Sequence, residues 1–163
     1  AKRLGASLIV DPGDRLAIIE RVTEWAGGKL VPSSLGMPMA HPGGVDVVYD
    51  TIGKAETLEV GVRVLKSRST LVQSGVHGPE RWDTSPLYFK ELHLTGSNAF
   101  GMETVEGVRR HGIAHYLELA RAGRIDLSGM LTHTFRLEAW KDAFTALARQ
   151  EESGAIKVAF DWR

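Results

Sequence analysis

The chain contains no cysteine. Disulfides, thiol chemistry and cysteine-rich zinc sites are thereby excluded within these residues. No apolar run approaches the length of a bilayer span, and the first residues lack the charged-then-apolar pattern of a secretory signal. A cytoplasmic setting with no membrane partner is therefore expected. Neither sign of charge is in excess: 20 basic side chains stand against 20 acidic ones. That balance gives no electrostatic reason to expect nucleic acid as a partner. Glycine-rich phosphate loops of the GxGxxG or GxxxxGK[ST] kind are missing too. The chain also opens without methionine, on "AKRLGASLIVDP". It reads as a piece of a longer protein that begins in the last turn of a helix.

What is present is ordinary for a globular protein. The 163 residues are enough for one domain with a real core, and 43% of them are hydrophobic. Lys2 and Arg3 before Gly5 resemble a helix C-terminus. "SLIV", Ser7 to Val10, is predicted as a short strand closed by Asp11-Pro12-Gly13. Asp14 makes an N-cap for a helix whose apolar positions are Leu16, Ile19, Val22 and Ala26, ended by Gly27-Gly28. Residues 29–44 hold three prolines and no periodicity, and are expected to form a surface loop insertion.

"VDVVYDTIG", Val45 to Gly53, then reads as a buried strand with an acid, Asp50, where it runs out. Ala55, Leu58, Val62 and Leu65 mark one face of a helix. "STLVQSG" and "LHLTGSNA" are predicted strands, with "LYFKE" a short helix or turn between them. Glu103 to Gly123 is predicted helical with a weak point at Gly112. "THTFR" reads as a short strand, Leu137 to Arg149 as a helix and "AIKVAF" as a terminal strand. Alternating strands and helices, with strands apolar throughout, imply an α/β fold: a mainly parallel sheet covered on both faces.

Two of these strands end alike, in "DTIG" and "QSGV". Glycine there permits a sharp turn and close approach of a ligand, and strand ends are where α/β sheets hold ligands. On the residues alone, ordinary strand-to-loop turns are the better explanation of both endings. His111 and His115 share a helix spacing, but no acid of the metalloprotease pattern lies between them, no third ligand is near, and Arg109 and Arg110 repel a cation. His133, in "LTHTF", reads as a packed residue. Trp25, Trp82, Trp140 and Trp162 are scattered as core or interface anchors.

The order of segments resembles the zinc-type medium-chain alcohol dehydrogenase family, in the rear part of its coenzyme-binding domain. The resemblance runs through "AKRLGASLIVDP", "DVVYDTIGKAETLEVGVRVLK", "STLVQSGV", "ELHLTGSNAFG", "ARAGRIDLSGMLTHTFRLEAWKDAFTAL" and "GAIKVAFD". It covers nearly all of residues 1–163 except the 29–44 segment. It implies an incomplete Rossmann-like, doubly wound sheet without its first strands and glycine-rich loop. It also implies a site for NAD or NADP. Thr51, Ile52 and Lys54 would line the coenzyme, and Ser74, Gly75, Val76, Ser97, Asn98 and Ala99 would meet its nicotinamide end. Lys157 would reach the pyrophosphate. Where the family has Gly-Gly, this chain has Arg68-Ser69.

By the same resemblance the parent enzyme moves hydride between a small alcohol or carbonyl substrate and nicotinamide. Zinc is expected only in a catalytic domain N-terminal to these residues, and this portion alone is expected to be inactive. A homodimer or homotetramer is expected, through the strand that includes Leu92–Ser97. Two other readings stand beside it. One is a zinc-free, quinone-reductase-like oxidoreductase of the same superfamily, and the other a non-catalytic structural or self-association module.

Overall fold

The computed structural model describes residues 1–98 and 101–162, and the chain divides into two compact units, Ala1–Glu103 and Thr104–Arg163. In the first unit, a single 3₁₀ turn at Lys2–Leu4 ends at Gly5, whose φ of 95° reverses the chain. Helix α1 (Arg15–Trp25) follows, capped as its sequence predicts: Asp14 Oδ1 accepts from the Leu16 and Ala17 amides at 2.9 and 3.3 Å. "SLIV" between them is not a strand. Apolar residues make a strand only when a neighbouring strand takes their backbone groups, and among the described residues none pairs with these.

The 29–44 segment carries a small antiparallel pair, β1 (Leu30–Val31) and β2 (Met39–Ala40). Met39 and Ala40 are buried, so this stretch contributes to the interior and is not only a surface excursion. Next come β3 (Val45–Asp50), helix α2 (Ala55–Val64), β4 (Leu65–Gln73), the single-turn helix α3 (Ser85–Phe89) and β5 (His93–Gly96). Strands β3, β4 and β5 form a parallel sheet in that order, with Asp50 opposite Gln73 and Gln73 opposite Gly96. The three strands therefore stop at one level. Helix α2 turns the face carrying Leu58 and Val62 onto the sheet, where they join Leu65 and Leu71 in the core. Each such fully buried branched side chain contributes about 1.5–3 kcal/mol. Strand β3 is not covered throughout, as its apolar run suggests: it is an edge strand, and Val47 and Tyr49 are exposed.

Two buried cations brace this core. Lys90, 1% exposed, directs Nζ at the carbonyls of Ala40 (3.3 Å), Arg63 (3.0 Å) and Leu65 (2.5 Å). Arg63, also 1% exposed, donates from Nε to the Met37 carbonyl and pairs with Asp83 at 2.5 Å. Burial works to raise the Asp83 carboxyl, but hydrogen bonds from Ser85 and the Arg63 pair hold it below its ordinary value. Burial, and after it the Arg63 charge, pull the Lys90 ammonium down from 10.5 to about 7. Opposite Lys90, β4 bulges: Val45 faces Leu65 but Val47 faces Thr70. Within the bulge Arg68 has φ 62°, a left-handed conformation that suits the glycine of the family pattern, and its amide donates to the Lys90 carbonyl at 2.8 Å.

Beyond β5 the expected helix over 103–123 is only half present. Residues 102–111 form β6 (Met102–Val105) and β7 (Val108–His111), which pair across Glu106 and Gly107. Both turn residues have positive φ, 51° and 79°, the geometry of a two-residue hairpin. Gly112 does not interrupt a helix but starts one: α4 (Gly112–Arg121) is capped by His111 Nδ1, which accepts from the Ile113 amide at 3.2 Å. Strand β8 (Leu131–Phe135), helices α5 (Trp140–Ala148) and α6 (Gln150–Ser153) and strand β9 (Lys157–Phe160) complete the second unit. Strands β8 and β9 are parallel, and α5 packs on both. Among the described residues no helix is long and apolar enough to cross a membrane.

Two outcomes are expected from the bulge and the buried amine. Arg68→Gly relieves the left-handed backbone and raises the urea midpoint without changing the slope of the transition. Lys90 titrates near 7 when folded and near 10.5 when unfolded, so between these values the unfolded chain binds more protons and stability rises with pH. Lys90→Met abolishes that titration. The stability of wild type relative to this variant should climb by at most about 1.4 kcal/mol per pH unit over that window and stay level below it. Urea melts at stepped pH check this, and a difference that falls with pH contradicts it.

Candidate functional site at the strand ends

Asp50 organises the end of β3. Its side chain is buried, and Oδ1 accepts from the amides of Ile52 (2.9 Å) and Gly53 (3.1 Å), which bends the chain at once out of the strand. Thr57 Oγ1 lies 3.0 Å from Asp50 Oδ2 and 3.0 Å from the Lys54 carbonyl. The Asp50 main-chain carbonyl reaches the neighbouring strand end, accepting from the amides of Ser74 (2.8 Å) and Gly75 (3.0 Å) and from Ser74 Oγ (3.3 Å). The acid at the end of "VDVVYD" thus sets two turns at once. Its carboxylate is occupied by amides and is not aimed at a ligand.

Gly75 is the second constraint. A Cβ at this residue would stand 2.2 Å from the Ile52 nitrogen and 2.3 Å from the Thr51 carbonyl carbon. Both neighbours are backbone, so nothing can rotate away. Gly53, at φ 79°, meets the Gly75 carbonyl in the same way, 2.5 Å from its would-be Cβ. The third strand end is tied on by the Ser97 amide, which donates to the Gln73 carbonyl at 2.9 Å, and Gln73 Nε2 donates to the Gly75 carbonyl at 3.2 Å.

These ties shape an open cleft of about 700 Å³ lined by Gln73, Ser74, Gly75, Val76, Gly96, Ser97 and Asn98. Among the described residues its lining carries no ionisable side chain; hydroxyls, amides and the 93% exposed Val76 side chain form its surface. Such a wall can hold a flat polar group by hydrogen bonds and an apolar contact.

Ser74, Gly75, Val76, Ser97 and Asn98 line this cleft, and Thr51 and Ile52 turn against Gly75 at its side. Lys54 is exposed at the start of α2. Ala99 lies outside the described residues. Lys157 belongs to the second unit, exposed as the first residue of β9, and its carbonyl accepts from Thr132 Oγ1. Reasoning from sequence leaves Gln73 out of the site; its place directly before the "SG" turn, opposite Gly96 in the parallel register, is the signal that identifies it.

A neutral cleft of hydroxyls and main-chain groups fits the carboxamide end of a nicotinamide coenzyme. The residues do not fit zinc: there is no cysteine, and among the described residues no three His, Asp or Glu side chains gather as metal ligands.

Residues 1–111 match the family described as zinc-binding dehydrogenase. An alcohol dehydrogenase of Cupriavidus necator is 25% identical over 98% of this chain and 38% of its own length. A D-arabitol-phosphate dehydrogenase of Enterococcus avium is 24% identical over 99% of this chain and 39% of its own. The chain therefore spans about two-fifths of the length of these curated relatives. Among solved structures, zinc-dependent alcohol dehydrogenase 2 from Streptococcus pneumonia superposes with a TM-score of 0.72 at 18% identity, over 98% of this chain and 40% of that one. A zinc-binding dehydrogenase from Sinorhizobium meliloti, bound to NADP, gives 0.63 at 24% identity over 98% and 41%. The likeness in structure is one of fold: a Rossmann-like α/β arrangement with a mainly parallel sheet.

The geometry of Gly75 yields a stability prediction. Gly75→Ala should lower stability by about 2–3 kcal/mol, because the added methyl overlaps main chain on the adjacent turn. Gly78→Ala, where a Cβ meets nothing within 4 Å, should change it by less than about 0.5 kcal/mol. Denaturant melts of the two variants check the contrast, and equal effects would refute it.

Proposed function

The chain belongs to the zinc-binding dehydrogenase family, and on that premise we propose that its strand-end cleft is the nicotinamide side of an NAD or NADP site. The parent is then an oxidoreductase acting on an alcohol, polyol or carbonyl substrate. The observation that carries this reading is the meeting of the ends of β4 and β5 around a neutral, hydrogen-bonding cleft, with the turn after β3 packed against Gly75 at its side. Bound nicotinamide supplies the hydride acceptor or donor. In this role Ser74, Ser97 and Asn98 hold the carboxamide, and Val76 packs on the ring and so selects the face presented. Thr51, Ile52 and Lys54 border the rest of the coenzyme. Lys157 offers a point charge suited to a phosphate oxygen. Zinc, where the parent uses it, is held by residues outside this chain, and residues 1–163 contribute binding and orientation in a cytoplasmic enzyme.

Strand β5 supports the assembly part of the proposal. It is the sheet's edge, and all four of its residues are exposed. Pairing with the same strand of a second copy through Leu92–Ser97 closes both edges in one isologous contact. That contact makes the dimer, and a second such pairing surface makes a tetramer.

Amide chemical-shift mapping with NADH and NADPH tests the cleft. The expected shifts fall at Thr51–Lys54, Ser74–Val76 and Ser97–Asn98, with a dissociation constant on the order of millimolar, worth about 4 kcal/mol. Weakness is expected because no glycine-rich phosphate loop is present in the sequence. Shifts confined to other residues, or none at saturating coenzyme, would defeat the reading.

A further inference from the structure

The segment that leaves the cleft after Val76 does not run free over the surface. Glu80 Oε2 accepts from the Ala55 amide at 2.8 Å, so the first turn of α2 is capped by a residue 25 positions further on. The residue in the ordinary capping place, Lys54, makes no side-chain cap. Further along, the Asp83 amide donates to Glu59 Oε1 at 2.9 Å, and Asp83 Oδ2 receives Arg63 at 2.5 Å. Trp82 packs against the core cluster between these ties. The strap from 77 to 84 is therefore pinned along α2 at its beginning, middle and end. The first pin lies one residue from Lys54 and four residues from Val76. It joins the turn after β3 to the segment after β4, in addition to the Asp50 carbonyl link.

We propose that Glu80 is a positioning residue for the coenzyme cleft, fixing the separation between the Thr51–Lys54 turn and the Ser74–Val76 ledge through its cap on α2. The proposal rests on the coenzyme reading given above. Glu80 is not among the residues that line the cleft; it acts through Ala55 and through the strap. A carboxylate suits this place for two reasons. It accepts a charge-assisted hydrogen bond from an otherwise unpartnered first-turn amide, and its charge opposes the positive end of the helix dipole.

The test compares wild type, Glu80→Ala and Glu80→Gln by NADH titration and by hydrogen exchange of the Ala55 amide. Asp14→Ala serves as a control that removes the α1 cap, away from the cleft. Glu80→Ala should speed Ala55 exchange and weaken NADH, each about fivefold, the equivalent of one lost cap. Glu80→Gln keeps an acceptor oxygen and should recover most of the affinity. Asp14→Ala should lower the melting temperature comparably and leave NADH affinity unchanged. Unchanged affinity in Glu80→Ala, or an equal loss in Asp14→Ala, overturns the positioning role while leaving the coenzyme site standing. Absence of cleft shifts in wild type overturns both.

Discussion

The Lys90 ammonium is the point on which the first unit depends. Its Nζ lies within hydrogen-bond reach of the carbonyls of Ala40, Arg63 and Leu65, that is, of the end of β2, the last turn of α2 and the start of β4. Its own carbonyl receives the Arg68 amide within the bulge. A cation taken out of water is costly unless every proton finds an oxygen, so these four segments are bound to one arrangement. The Arg63 guanidinium extends the brace to Met37 and Asp83. A helix end and a strand start that would otherwise leave main-chain carbonyls bare are satisfied from the interior. The start of β4, which pairs with both β3 and β5, is fixed by that anchorage.

At the strand ends the chemistry is carried by main chain. Asp50 takes up the amides of its own turn with its carboxylate and those of the next strand's turn with its carbonyl, while Gly53 and Gly75 allow the two turns to touch. The acid could be mistaken for a ligand-binding or catalytic group because it sits where α/β folds bind ligands. Its hydrogen bonds make it a builder of the turn instead. Among the described residues the cleft that results is lined by neutral groups, hydroxyls, amides and main chain.

Features that depend on a few consecutive residues were legible in the sequence. The Asp14 cap, the Leu58–Val62 face and the strand ending at Asp50 all appear where their spacing puts them, whereas Leu65, expected on that helix face, is the first residue of β4. Those that depend on distant partners were not. "SLIV" has strand composition but no strand beside it. The stretch before Gly112 has apolar positions that suit a helix, yet the Glu106–Gly107 turn folds it into a hairpin, and Gly112 then opens α4. Lys90, in "YFKEL", has the appearance of a solvent-facing lysine. Its burial is decided by carbonyls 50, 27 and 25 residues away, which no local pattern encodes. Of the site, the two glycine turns could be read directly, whereas Gln73 and the Glu80 cap required the register of the sheet and the path of the strap.

The way the strand-end turns are made has a consequence for how such a site can change over time. Their course is dictated by one carboxylate, one carbonyl and two glycines, all turned inward. The side chains of Thr51, Ile52, Ser74 and Val76 project outward and take no part in holding the backbone, apart from the single Ser74 hydroxyl contact. Substitutions at these four places alter what the surface recognises without redirecting the chain beneath it. The inner residues are thus the fixed frame and the outer ones the variable letters, so that new specificities can be explored at little risk to folding.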